Sequence, residues 1–284
     1  VPAAMCGIMG LKVTHGRIPL TGVFPLAPSL DTVGPLATTV QDLSMTYRIL
    51  RGPDAADPWS RPAAPMPVAA HVPARVGIPR PWVGTGPVEA AVVSAFEGFV
   101  DALESLGFDV VELDLPDLLP WGMINELAGA QAARVHRGWV AEGRPYGAEV
   151  GSRIAEAMEV TADQLADALT WQAGIRHRAV EAFGSVDLLA TPSVGALRKT
   201  IGEETIEIDG DAVSYRPTLA WFSALVNHLG TPALTLPLAI EGSPPPSIQL
   251  IGRWWNEETL LAVGRRLERE DIVGTRLPVE PWWL

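Results

Sequence analysis

Between residues 88 and 106 apolar side chains return every three or four positions. Val92, Phe96, Phe99, Leu103 and Leu106 share one face, which is the period of an amphipathic helix. Gly107 caps that helix, and the period then drops to two. Val111, Leu113 and Leu115 alternate with Glu112 and Asp114, the pattern of a half-buried strand. Residues 75–79 predict another strand ahead of the helix, so strand, helix and strand form one α/β unit. The same two periods organise the rest of the chain. Residues 6–13 read as a short buried strand and 19–34 as a loop punctuated by Gly22, Pro25 and Pro28. Thr39-Val40-Gln41-Asp42 is a capping box opening a helix with Val40, Leu43, Tyr47 and Leu50 on one face, stopped by Gly52-Pro53. Residues 52–74, rich in Pro and Ala, read as a surface linker. Helix predominates from 121 to 183, broken at Gly143-Arg144-Pro145 and restarted by a second capping box at Thr161 to Gln164. Residues 186–191 are a buried strand ending at Pro192. Residues 196–213 are polar around an Asp209-Gly210 turn and are expected to form a mobile excursion. A helix with Pro217 in its first turn runs to His228. Strands at 233–238 and 247–251 and a helix at 257–270 follow, and no repeat is visible.

Composition narrows the chemistry. Of 284 residues 48% are hydrophobic and 19% charged, with mean hydropathy +0.18, so much of the chain belongs inside a core. The net charge of −12 comes with no clustered Lys or Arg run, which argues against nucleic acid as a partner. No apolar run reaches the ~18 residues of a membrane span and no signal peptide is visible, so the cytoplasm is the expected location. Cys6 is the one cysteine, so no internal disulfide can form, and its apolar surroundings predict a buried, inert thiol. His15, His71, His136, His177 and His228 are scattered singly, without zinc-site spacing. No metal and no cofactor is expected. Gly84-Thr85-Gly86 lacks the third glycine of a dinucleotide loop and is not read as a phosphate site. Glu203, Glu204 and Glu207 read as solvated. His228, beside Asn227, reads as a helix-end cap or an exposed imidazole. Trp171 and Trp221 fall in helical patterns and are assigned to the core. Trp254-Trp255 and Trp282-Trp283 are assigned to core or terminal docking, with a pocket or interface as the alternative. Nothing pairs a nucleophile with a base.

The first forty residues supply what the rest does not. Pro2-Ala3, Cys6-Gly7, Gly10-Leu11-Lys12, Thr14, Gly16-Arg17 and Ser29-Leu30-Asp31-Thr32-Val33-Gly34-Pro35 closely resemble the amidase signature family. The likeness returns in Asp187 to Pro192, in Asn227, Gly230 and Pro232-Ala233, and in the stretch 248–268. It is weaker in the middle. The resemblance implies a three-layer α/β/α fold around a mixed, mostly parallel sheet, incomplete here, with residues 1–284 forming the C-terminal part of a single amidase-signature domain. It implies hydrolysis of carboxylic acid amides by a serine, a second serine in a cis peptide and a lysine, with backbone N–H groups holding the oxyanion. By the same register the nucleophile stands three positions before Val1, and the other catalytic groups lie further upstream. Lys12 matches the Gly-Leu-Lys segment and is not the catalytic lysine.

The resulting expectation is an amidase-type hydrolase of small-molecule amides, represented by a truncated chain that holds no catalytic residue and is inactive alone. Thr191, Pro192 and Ser193 are the expected substrate-binding residues, at the carboxyl end of a strand where α/β sheets bind ligands. A homo-oligomer or a missing N-terminal chain is the expected partner. Three alternatives stand beside this reading: a non-catalytic binding chain of the same fold, an A-type amidotransferase chain, and an unrelated serine hydrolase.

Overall fold

The computed structural model describes residues 1–62, 75–120, 122–240 and 244–276. Most of the predicted linker, His71 and the pair Trp282-Trp283 lie outside them. The strands are β1 (Met9–Lys12), β2 (Leu36–Ala37), β3 (Arg75–Pro79), β4 (Asp109–Leu113), β5 (Leu188–Pro192), β6 (Thr205–Ile208), β7 (Asp211–Ser214), β8 (Ala233–Pro237) and β9 (Ser247–Gly252). All but β6 and β7 join one sheet in the order β2-β1-β8-β9-β5-β3-β4. The β3–β4 and β3–β5 pairings are parallel and the others antiparallel. Followed across the sheet, β2, β8, β5, β3 and β4 therefore point one way, and β1 and β9 the other. The sheet is mixed with most strands aligned, as expected, although its parallel neighbours are confined to one end.

The helices are α1 (Pro2–Met5), α2 (Val40–Leu50), α3 (Arg80–Gly84), α4 (Ala90–Ser105), α5 (Ile124–Ala141), α6 (Ala148–Met158), α7 (Ala162–Ser185), α8 (Tyr215–Leu229) and α9 (Glu257–Arg269). From β3 the chain crosses through α4 to β4 on one side, and from β4 through α5, α6 and α7 to β5 on the other. Right-handed crossovers in opposite directions place α4 and α7 on opposite faces. On α4's face lies α9: the Arg266 guanidinium donates to Leu106 O and stacks on Phe108. On α7's face lies α8, whose carbonyl at His228 accepts from Gln172 and Arg176 of α7. The result is a three-layer α/β/α sandwich. Its principal core takes Leu188, Leu250, Leu234 and Ile251 from the sheet, Phe96 and Leu103 from α4, and Leu260 and Leu267 from α9.

Local chemistry explains most element ends. The Thr161–Gln164 capping box is complete, with both reciprocal bonds formed. At α2 the Thr39 hydroxyl accepts from Asp42 N and donates to its carboxylate. Edge strand β4 carries Asp109 and Glu112, paired with Arg75 and Arg80, charges that discourage edge-to-edge association. Three expectations change. The predicted strand at 6–13 narrows to β1 at Met9–Lys12, because the chain enters it from the short helix α1 through a turn at Gly7, at φ +63°. Cys6, just before that glycine, is exposed rather than buried. The polar excursion at 196–213 contains the hairpin β6–β7: Ile206 and Ile208, alternating with Glu207, are buried against Val194, Ala196 and Leu219. Asp209 and Gly210, both at positive φ, form the tight turn that right-twisted hairpins prefer.

Candidate active site

The carboxyl ends of β5 and β8 and the start of β9 meet at one edge of the sheet. There the register aligns Gly10, Thr235, Gln249 and Thr191 in a single row across β1, β8, β9 and β5. Paired residues share a face, and so do residues two apart on one strand. Ser193 and Ser247 therefore lie on this face too, joined by Ser193 N–H donating to Ser247 O at 2.8 Å. A sheet face otherwise rich in Leu, Ile and Val thus has a neutral polar floor. Gln249 organises it, its Nε2 donating to Thr191 Oγ1 at 3.2 Å and to Phe222 O of α8 at 3.2 Å. The Thr191 hydroxyl in turn donates to Pro192 O at 2.8 Å. Ser193 Oγ donates to Thr235 Oγ1 at 3.4 Å, and the buried Ser247 Oγ has no partner among the described residues.

Helix α1 sits directly on this floor. A Cβ added to Gly10 would come within 2.7 Å of Ala3 Cβ, so the glycine is what lets α1 lie against the sheet. Ala4, with Val1 and Met5 at its rim, packs into the cluster formed by Val194, Ala196, Leu219 and the hairpin. The strand extension after Ser193 is clamped from both sides. Gly195 N–H donates to Thr218 O, Glu89 N–H to Gly195 O, and Leu197 N–H to the Glu89 carboxylate. A Cβ on Gly195 would lie 2.4 Å from Pro87 O, so close backbone approach requires glycine there as well.

The structure brings the three expected substrate-binding residues to this edge, all of them buried. Thr191 is fully buried and bound to Gln249, which makes it a buttress of the floor. Ser193, 2% exposed, faces the α1 side. Pro192 ends β5 between them. Thr235, Ser247 and Gln249 join the floor without a motif to mark them in the sequence. The one local signal is the alternation in Ser247-Ile248-Gln249-Leu250, where polar residues recur every second position within a fully buried strand.

The other candidate chemistry resolves into structure. Lys12 lies at the end of β1 away from α1, opposite Ala233, and its ammonium donates to Thr231 O at 2.9 Å and Val13 O at 3.3 Å. Burial, offset in part by Glu257, lowers its pKa to about 7. Around the end of α8, His228 O accepts from Gln172 and Arg176, and Leu229 O accepts from Trp254. His15 N–H donates to Gly230 O. These are helix-end carbonyls satisfied by donors. The His228 ring is buried, not exposed, and desolvation pulls its pKa down to about 4. Glu257 is fully buried and accepts from Thr14 N–H, Arg17 and Tyr47. Ser29 is held by Gln131 through two hydrogen bonds. Gly86 packs against the Trp221 indole, which accounts for that glycine without a phosphate. Among the described residues no group of three or more His, Cys, Asp or Glu side chains could hold a metal ion, and no helix is long and apolar enough to cross a membrane. A groove of about 880 Å³ lies between α4 and the residues at 238–240, 244–246 and 271–272, lined by Phe99, Leu197, Leu238 and Ile272 among others.

These features define an α/β/α layered protein with a polar floor at the carboxyl edge of a mixed sheet, overlaid by a short N-terminal helix. A family model described as Amidase matches residues 1–261, and the chain belongs to the amidase family. It is 33% identical to the A-type chain of the glutamyl-tRNA(Gln) amidotransferase of Chloroflexus aggregans, covering 98% of this chain and 62% of that protein. It is 32% identical to the corresponding amidotransferase chain of Anaeromyxobacter dehalogenans, covering 95% and 60%. The chain thus spans about three fifths of the length of the curated relatives it matches. Among solved structures, an amidase superposes with a TM-score of 0.82 at 26% identity, covering 95% of this chain and 60% of that one. A structure described as a vestigial protein complex, revealing the origins of an s-triazine catabolic enzyme, superposes at 0.84 with 25% identity, covering 97% and 61%.

Proposed function

We propose that this chain supplies the substrate-facing wall of an amide hydrolase, and that the catalytic serines and lysine belong to a segment upstream of Val1. One observation carries the reading. Helix α1, whose N-cap Val1 follows the family's nucleophile position by three residues, lies on the polar floor at the strand ends. A serine entering from that side would meet a substrate held against Ser193 and its neighbours. In this scheme the serine attacks the amide carbonyl, the amine leaves with a proton, and water releases the acid. Residues 1–284 act as part of one domain, with Thr191, Pro192 and Ser193 at the substrate wall and the upstream segment as the required partner. The clamped backbone at 193–197 suits this role, since catalysis rewards a wall that need not reorganise.

A second reading has its own support: the relatives at 32–33% identity are named as chains of a glutamyl-tRNA(Gln) amidotransferase. In that case the same wall would serve ammonia production for a multi-chain enzyme. Expressing the coding frame with its upstream segment and measuring ammonia release from simple carboxamides tests both. Steady turnover without other chains supports the hydrolase. Release that requires added partner chains supports the amidotransferase. No release under either condition contradicts both.

A further inference from the structure

We infer that Ser193, Thr235 and Ser247 form a subsite for a neutral hydrogen-bonding group of the substrate, which selects uncharged carboxamides over amides of charged amino acids such as glutamine. The inference rests on the amide-hydrolase reading and specifies its substrate class.

The three hydroxyls share one sheet face at the site edge, and their hydrogen-bonding capacity is underused. Buried hydroxyls nearly always find partners. Ser247, however, is 5% exposed and its Oγ has none among the described residues. The Ser193–Thr235 contact, at 3.4 Å, is long beside the ~2.7–2.8 Å of a good O–H···O bond. The backbone beneath them is already satisfied: Ser193 N–H donates to Ser247 O, and Gly195 N–H to Thr218 O. What remains is one orphan hydroxyl beside a weakly bonded pair. Between them they offer donors and acceptors to a group that needs both, as a neutral amide does.

Charge decides the class. Among the described residues the polar side chains at this edge of the face are Thr191, Ser193, Thr235, Ser247 and Gln249, and none is ionisable; Lys12 shares the face but lies at the opposite end of β1, its ammonium held by Thr231 O. The adjoining cluster is Ala4, Val194, Ala196, Ile206, Ile208 and Leu219. At its rim, Arg216 pairs with Glu149 and Glu204. Lys199 lies over the Tyr215 ring and donates to Thr200 O. A set of neutral hydroxyls cannot offset the desolvation of a carboxylate or ammonium, so a zwitterionic substrate gains little here.

The experiment uses the complete protein with its upstream segment. kcat and KM are measured for hexanamide, benzamide and glutamine, in wild type and in Ser247→Ala, Thr235→Val and Thr235→Ser, with thermal melting of each. The expected kcat/KM favours the neutral amides by at least ~100-fold, the penalty for a site that leaves polar groups unpaired. Ser247→Ala and Thr235→Val should each raise KM for the neutral amides by about tenfold, the worth of one hydrogen bond. Thr235→Ser, which keeps the hydroxyl, should stay near wild type. A preference for glutamine overturns the inference and leaves the hydrolase reading intact. So does unchanged KM in folded Ser247→Ala and Thr235→Val. Absence of hydrolysis with every amide overturns the functional reading, and the inference falls with it.

Discussion

Ser247 separates function from stability at the scale of one side chain. Its hydroxyl is buried and unpartnered among the described residues, and such a group costs about 1–3 kcal/mol. Ser247→Ala should therefore leave chemical-denaturation stability unchanged or raise it by about 1 kcal/mol while weakening substrate binding. A loss of stability would show that the hydroxyl has a structural partner. Glu257 makes the opposite case. It is fully buried and serves Arg17, Tyr47 and Thr14 N–H together, so Glu257→Ala strands a buried guanidinium and should destabilise by about 3–5 kcal/mol. His228 sets a pH dependence. Its folded pKa, about 4, lies below the ordinary 6.5, so between these values the unfolded chain binds the extra proton. Stability should rise with pH across that window, by about 3 kcal/mol in all, and the slope should flatten in His228→Asn. Denaturation curves at pH 4 to 7 check this. Which residues are legible follows from the same physics. Ser193 is within reach of the sequence because it follows an apolar run at a strand end, where ligands gather. Thr235 and Ser247 become neighbours of Ser193 only through strand pairing across more than forty residues, which no local pattern carries.

Elements are legible where one period persists. Helices α4 and α7 and strands β3, β4, β5, β8 and β9 all stand within a few residues of their expected places, because a long amphipathic or fully buried run admits one reading. The short pieces do not. Helix α1 has a single turn, too short for a period, and the hairpin β6–β7 hides Ile206 and Ile208 in a polar stretch where charge outweighs a two-residue alternation. Yet these two elements pack together at the site. Gly10→Ala tests their placement: the new methyl would collide with Ala3 and push α1 off the sheet. We expect a folded protein with activity reduced at least ~10-fold in the complete enzyme, since displacements of about 1 Å near reacting groups can cost 10²-fold. Wild-type turnover in Gly10→Ala would show that α1 does not set the geometry of the site.

At the scale of the whole molecule, the three layers are those the resemblance of the first forty residues implied, and the family follows from the matched residues 1–261. Activity does not follow from either. Among the described residues the polar floor contains hydroxyls and an amide but no base within reach: Lys12 is engaged at the far end of β1, and His228 is buried at the end of α8. Covalent catalysis needs a nucleophile, a base and oxyanion donors together, and the proposed function places all three upstream of Val1. A fluorophosphonate probe, which reports activated serines, tests this most directly when applied to the 284-residue chain and to the complete protein side by side. The expected result is no labelling of the chain alone, and labelling of the complete protein at a serine preceding Val1. Strong labelling of the chain by itself, mapped to Ser193, Ser247 or Ser29, would contradict it.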